Sequence, residues 1–439
     1  MKILTALLIL ALAFSSCGRG QEWDELFNGH DLTGWIQKGG DADFKVVDNM
    51  IVGTAILNTP NSFLCTEDHF SDFILEYEFM VDPPLNSGVQ IRSHSLPEYR
   101  DGIVHGYQVE IDPSQRAWTA GIFDEARRGW LYPLSGVGHE NVRNAFRINE
   151  WNKVRIEAIG DNIKTWLNGV PAANLYDDET GSGFVALQVH SINNASMEGR
   201  EVKWRNIRIM TKNPERFLTE TTAPEKSFLI NRLTDREIAE GWRLLFDGES
   251  TSGWRGACRD NFPDAGWEIK DGILSSVAGV RGGDIVTEEI FSDFDLRLQA
   301  RYAPIANSGV KYFVKEYSTG ERCAALGPEY QIIDNAYPGL NEDQKMGALY
   351  ELKIAENVRL NPAGQWNNIR IVVKGNMVEH WLNGIRIVEY DRNSEDFDSR
   401  VAASKFHDVE GYGKIDGHIL LQGYGDEVSF RSIRIRTYQ

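Results

Sequence analysis

The chain repeats itself. LFNGHDLTGW at 26–35 returns as LFDGESTSGW at 245–254, FSDF at 70 returns at 291, NSGV at 86 returns at 307, and WLNG at 166 returns at 381. A spacing of roughly 220 residues is far beyond the about 20 to 50 of solenoid repeats, so it marks two tandem copies of one domain. The 439 residues also exceed the about 250 to 300 that a single hydrophobic core supports. One fold must therefore suit both copies, and each position can be read against its counterpart.

Period-two alternation recurs in short segments of the first copy: FILEYEFMV at 73–81, GVQIRS at 88–93, GYQVEID at 106–112, NKVRIEAIG at 152–160, FVALQVHS at 184–191 and WRNIRIM at 204–210. The second copy answers with DLRLQARY, GVKYFV, EYQIID, NNIRIVVKG, HILLQGYG and FRSIRIR, and DG, NG, GG and SG turns separate the runs. Many strands with almost no helical periodicity predict an all-β protein of two tandem jelly-roll sandwiches, at 22–212 and 242–439. The intervening 213–241, with Pro214 and Pro224, reads as a linker. It carries one short helix, announced by the capping-box spacing of Thr234 and Glu237 and stopped near Gly241.

The first 17 residues, MKILTALLILALAFSSC, pair a charged start with an apolar run and small residues before Cys17. That is a secretory signal. Its AFSSC ending resembles the bacterial lipobox, which makes Cys17 the expected lipidated N-terminus of a protein exported to the periplasm or outer membrane. Membrane association is then expected through the lipid anchor only. Cys65, Cys258 and Cys323 remain, allowing at most one bridge, between Cys258 and Cys323; buried free thiols are the expected state. A formal charge of −18 with no Lys/Arg clusters argues against a nucleic-acid partner.

Alternation also predicts which residues share a face. Gln90 and Arg92, then Gln108, Glu110 and Asp112, then Gln188 and His190 all oppose apolar neighbours on their own strands. If the three strands are adjacent, these side chains form a hydrogen-bonding floor suited to sugar hydroxyls. The plainer reading is the solvent side of a half-buried sheet.

The openings LFNGxDLxGW, the NSGV strand, the GxQxEI and GxExQI strands, EHWLNG and the closing LQ strand followed by FRxIRI together resemble the 3-keto-disaccharide hydrolase family, in two copies covering nearly all the chain. The resemblance implies a concanavalin-like fold and cleavage of glycosides oxidised to a ketone at C3. Such a ketone acidifies the C2 proton, so a base can remove it and the enolate expels the C1 aglycone; water addition afterwards gives net hydrolysis. Lyase and hydrolase outcomes both stay open. The site needs a base, an electrophile at the ketone oxygen and an acid for the leaving group. A divalent metal is one electrophile implied for some members, and no organic cofactor is expected.

In the first copy Glu110 or His190 is the expected base, with Asp112 beside them. Arg92, Arg127 or a carboxylate-held metal is expected at the enolate, and a loop carrying Asp124, Glu125, Arg127 and Arg128 over the floor of Gln90, Gln108 and Gln188. The second copy offers Lys311, Glu329, Gln331, Asp334, Tyr350, His380 and Gln422, with the Glu/Gln order reversed and Tyr424 where the first has His190. The first copy is therefore the expected main site, acting on a glycoside or oligosaccharide. A conventional retaining glycosidase and a non-catalytic carbohydrate-binding protein are the alternatives. Paired acids favour the former and an aromatic platform the latter.

Overall fold

The computed structural model describes residues 23–319 and 322–438; the signal segment and Cys17 lie outside the described residues. The chain divides between Phe228 and Leu229 into two compact units. Each is a concanavalin-like sandwich of two sheets, almost wholly antiparallel.

In the first unit the back sheet runs in the order Glu225–Ser227, Val170–Tyr176, Asn162–Leu167, Asn152–Ile159, Phe73–Val81, Glu201–Met210, Met50–Thr54 and Asp43–Val47. The central strand FILEYEFMV shows why: Phe73, Leu75, Tyr77, Phe79 and Val81 enter the core. Burial of such side chains is worth about 1.5–3 kcal/mol each. Glu76, on the other face, is held by Lys153, Arg155 and Arg208. The facing sheet runs Gly129–Tyr132, Ile122–Glu125, His105–Ile111, Ser87–His94, Phe184–Val189, Ser62–Thr66 and Trp35–Gly39. Its Val89, Ile91, Tyr107, Val109 and Leu187 complete the core, which turns Gln90, Gln108, Glu110 and Gln188 to the opposite face.

The second unit repeats the plan. Trp254–Gly256, Ile285–Thr287, His418–Leu421, Asn307–Thr319 and Glu329–Ile333 pair in that order. Register establishes the equivalences: Gln90↔Gln108 and Gly88↔Glu110 in the first unit match Lys311↔Glu329 and Gly309↔Gln331 in the second. The units differ beyond this strand. Where the first adds the hairpin of Ile122–Glu125 and Gly129–Tyr132, the second places a long loop, then the helix Glu395–Ala403 after the Ile385–Asp391 strand.

The stretch read as a linker is structured on both sides of the division. Glu225–Ser227 pairs in parallel with Val170–Tyr176 in the first unit. In the second, Asn231 accepts from Ser432 N at 2.7 Å and donates through its own N–H to Ser432 Oγ at 3.2 Å. The Asp235–Ala239 helix carries the expected capping box of Thr234 and Glu237. The expectation of free thiols is corrected for two of three cysteines: Cys258 and Cys323 form a disulfide with Cα atoms 6.1 Å apart. Alternation carries no sign of this pairing; Glu316, which accepts from Arg255 and from Cys258 N, holds the loop after Trp254–Gly256 against the hairpin that carries Cys323. Among the described residues Cys65 alone is free, and it is buried, its thiol pushed up to about 12 by desolvation, which keeps it protonated and unreactive.

Candidate functional site

The floor of the first unit is a chain of side-chain hydrogen bonds. Ser93 Oγ donates to Gln90 Oε1 (2.6 Å), Gln90 Nε2 to Gln108 Oε1 (2.8 Å), Gln108 Nε2 to Glu110 Oε2 (3.0 Å), and Asn86 Nδ2 to Glu110 Oε1 (2.6 Å). Gly88 permits this: a Cβ there would lie 2.5 Å from the Gln108 side chain. Glu110 is 4% exposed, and burial raises its pKa although Asn86 and Gln108 pull the other way. Gln188, fully buried beside them, has neither amide atom hydrogen-bonded among the described residues. Across the face, Asn61 Nδ2 donates to Glu125 Oε1 at 3.1 Å, although Asn61 precedes the Ser62–Thr66 strand and Glu125 lies four places away in the sheet order. A bond of that span requires the twisted sheet to curl toward its polar side. Burial raises the Glu125 pKa, with Asn61 and His190 opposing. His190 Nδ1 bonds Ser191 O at 2.8 Å. Trp118, Phe123 and Trp130 cluster edge to face, with the Arg116 guanidinium over both tryptophans.

Five residues expected around this floor are employed elsewhere. Arg92 sits in a β-bulge at φ +46°; the added residue reverses side-chain direction and sends the guanidinium away from Gln90, to Ser71 O, Gly160 O and Asp72. Phe313 occupies the same bulge in the second unit, at φ +54°. Asp124 is buried on the Tyr107 side and binds Arg127 at 2.7 Å and Arg128 at 2.6 Å. Arg128 also clasps Asp177, which accepts from Tyr107 OH. The Arg pair thus braces the sheet edge and does not close over substrate. Asp112 organises the loop that follows it, accepting from Ser114 N, Trp118 N and Arg116 Nε. Burial alone would raise its pKa, but these donors bring it below the usual value.

In the second unit the equivalent residues open onto a cavity of ≈ 300 Å³ lined by Asn307, Lys311, Leu326, Gly327, Glu329, Gln331, Tyr350, Lys405, Phe406, Gln422 and Tyr424. This is the lower end of small-molecule sites. Five expected residues converge here: Lys311, Glu329, Gln331, Tyr350 and Gln422. Glu329 is 7% exposed and burial lifts its carboxyl to about 7, with Lys311, 4.0 Å away, opposing. Gly309 makes room for it, since a Cβ there would meet Glu329 Oε1 at 2.2 Å. Gln331 Nε2 donates to Asn307 Oδ1 at 3.1 Å, reversing the Asn86 to Glu110 bond, and Gln331 Oε1 has no partner among the described residues. Lys405 lies over the Tyr350 ring at 4.3 Å and bonds Glu351 at 3.2 Å. Burial and the Glu351 charge push the Tyr350 phenol up to about 12.

Two second-unit expectations are corrected. His380 is a core residue: Nδ1 faces Gly347 O at 3.0 Å, so it carries the proton, and Nε2 accepts from Tyr312 OH at 2.8 Å. Burial lowers its pKa to about 4, keeping it neutral. Asp334 shapes a turn, accepting from Ile305 N and Ala336 N. Lys405 and Phe406 were missed because a loop 76 positions beyond Glu329 carries no pattern tying it to the strand. Asn86 and Asn307 were findable, since both open the repeated NSGV. Among the described residues no group of three or more His, Cys, Asp or Glu side chains converges as metal ligands would, so the residues present do not fit a bound metal and no step is routed through one.

Both units are thus curled β-sandwiches with a buried acid on the polar face of one sheet. The model of the 3-keto-alpha-glucoside-1,2-lyase-like domain matches residues 22–210 and 241–436, and the chain belongs to that family in two copies. A 3-keto-disaccharide hydrolase of Bacteroides thetaiotaomicron is 28% identical over 230 residues, covering 45% of this chain and 79% of that protein. A proposed glycosyl hydrolase of Parabacteroides distasonis is 32% identical over 48% of this chain and all of its own, with a TM-score of 0.44. A second from the same organism is 24% identical, covering 45% and 99%, with a TM-score of 0.35.

Proposed function

We propose that this carbohydrate enzyme cleaves 3-keto-glycosides by elimination, and that the second unit carries the chemistry. Glu329 removes the C2 proton, the electron pair of that bond forms the enolate, Lys311 faces its oxygen, and the C1–O bond breaks. Tyr350 retains its proton at neutral pH and gives it to the departing oxygen. Water addition to the resulting enone yields the net hydrolysis product.

The observation that carries this reading is the Glu329 carboxyl, held near 7 at the wall of a cavity beside a lysine. A base titrating near the working pH is half free to accept a proton and strong enough to take one. Glu110 is less suited, because Asn86 and Gln108 each donate to one of its oxygens and stabilise the carboxylate form, and it does not line the cavity of the second unit. A retaining glycosidase needs two carboxyls, and among the described residues lining the cavity Glu329 is the one acid.

The test is proton exchange at C2 followed by NMR in D2O. Exchange and cleavage are expected with 3-keto-glycosides and not with their unoxidised parents, and Glu329→Gln should stop both. Equal turnover of an unoxidised glycoside would establish the two-acid reading instead. Incorporation of labelled water into the sugar product separates net hydrolysis from release of the enone. Export is part of the proposal, supported by the leader and by a disulfide, which persists in oxidising compartments. Loss of membrane retention in Cys17→Ser tests the lipid anchor.

A further inference from the structure

A second cavity, of ≈ 430 Å³, adjoins the first. It is lined by Gly279, Arg281, Ile305, Tyr337, Tyr424, Gly425 and Asp426, so Tyr424 is a wall of both. The two also meet where Asn307 N, from the first cavity, donates to Asp426 Oδ2, from the second, at 2.9 Å. The loop carrying Arg281 is fastened to the strand end that carries Tyr424. Gly279 N donates to Gly425 O at 2.8 Å and Gly423 N to Asp284 Oδ1 at 3.1 Å. Gly423 must be glycine, because a Cβ would lie 2.4 Å from Gly283 O, and Gly425 adopts φ +98°. The cavity's shape is thus built in.

Its chemistry is specific. Arg281 makes no ion pair among the described residues, in a chain of net charge −18 where an unpaired guanidinium beside a cavity is conspicuous. Asp426, the acid in the lining, is committed to the Asn307 N–H. Tyr424 is 55% exposed and Ile305 45%, and neither Tyr337 nor Tyr424 packs on another aromatic ring among the described residues. Two free phenol rings and an aliphatic side chain around an unpaired Arg suit a flat ring with an anionic substituent.

We propose that this cavity is the leaving-group subsite and selects glycosides whose aglycone is an aromatic ring bearing a carboxylate. The inference rests on the elimination reading above, in which the sugar occupies the Glu329 cavity. The departing C1 oxygen then lies toward Tyr424, and the aglycone enters the adjoining space.

Calorimetric titration of the full chain with 4-hydroxybenzoate, phenol and glucose tests it without turnover. The carboxylate is expected to bind about tenfold to a hundredfold tighter than phenol, the range of a charge-assisted hydrogen bond. Arg281→Gln, which keeps the stem against Gly425, should collapse that ratio toward one, and Tyr424→Leu should weaken both aromatic ligands. Phenol binding as tightly as 4-hydroxybenzoate, or a ratio unmoved by Arg281→Gln, overturns the proposal. Failure to cleave any 3-keto-glycoside while the Arg281-dependent binding persists would overturn the reaction and the leaving-group role, and leave an aromatic-carboxylate binding cavity.

Discussion

The two units set different chemistry on one frame. Gln90, Gln108 and Glu110 of the first stand where Lys311, Glu329 and Gln331 stand in the second. In the first, the acid is the end of an amide ladder with a donor on each oxygen; in the second, the acid stands two residues away along the same strand and on the same face, has no such donors among the described residues and faces a cavity and a lysine. The frame explains why the exchange is tolerated. The glycine of NSGV leaves space over the central strand for either Gln108 or Glu329. Each sheet is also tied across its polar side, by Asn61 to Glu125 in the first unit and by Arg255 to Glu316 in the second, at 2.7 and 2.8 Å. What differs is therefore access and charge at a shared position. That difference decides where a proton can be taken.

The largest test of this contrast is Glu329→Gln, which should cost about 10²- to 10⁴-fold in kcat, the usual loss for a positioned base. Steady-state kinetics on a 3-keto-glycoside reads it, and a silent substitution would return the chemistry to Glu110. Asp124→Asn should destabilise the first unit by about 3 kcal/mol, because Arg127 and Arg128 lose their buried partner. Denaturant unfolding measures this, and turnover should hold; lost turnover with unchanged stability would restore the Asp124 to Arg128 loop to the active site.

Acidity gives a third test. The folded Glu329 carboxyl binds a proton up to about 7, whereas the unfolded one releases it near 4.3. Between those limits the native state holds more protons, so stability should fall as pH rises, by on the order of 4 kcal/mol in all. kcat/KM should rise over the upper part of the same window as the base is freed. Glu329→Gln should flatten the stability slope, and an unchanged slope would place the titration elsewhere. Lys311→Met should lower kcat about tenfold and move the pH midpoint of kcat/KM upward, since the lysine charge opposes protonation of Glu329; a fixed midpoint would mean the two do not interact. A smaller effect on turnover than that of Lys311→Met is expected from Glu110→Gln. An amide placed against the Asn86 and Gln108 donors should cost about 1–3 kcal/mol of stability and change turnover by less than Glu329→Gln does.

Much of the floor was legible in the alternation of side chains. Gln108, Glu110, Gln188, Glu329, Gln331 and Gln422 lie on the faces their strand parity assigns, because a strand between two flanking partners has no other way to bury Tyr107, Val109 and Leu187. Parity failed at Arg92, where one added residue reversed the count; Asp124, read as part of a loop, instead lies on a strand paired with Tyr107, whose buried side it shares. It had nothing to offer for Lys405, which enters the pocket from a loop.

By itself, then, the chain's duplication determined the number of domains, and its period-two pattern the fold class and the polar side of each sheet. These follow from local geometry and from burial of apolar side chains, which read out along the chain. Tertiary structure alone decided that Glu110 has an amide donor on each oxygen and Glu329 faces a cavity, that Asp124, Arg127 and Arg128 are a brace, that His380 is a neutral core residue, and that Cys258 reaches Cys323. Each of these depends on which distant segments the curled sheets bring within hydrogen-bonding distance, and on how much water that contact removes.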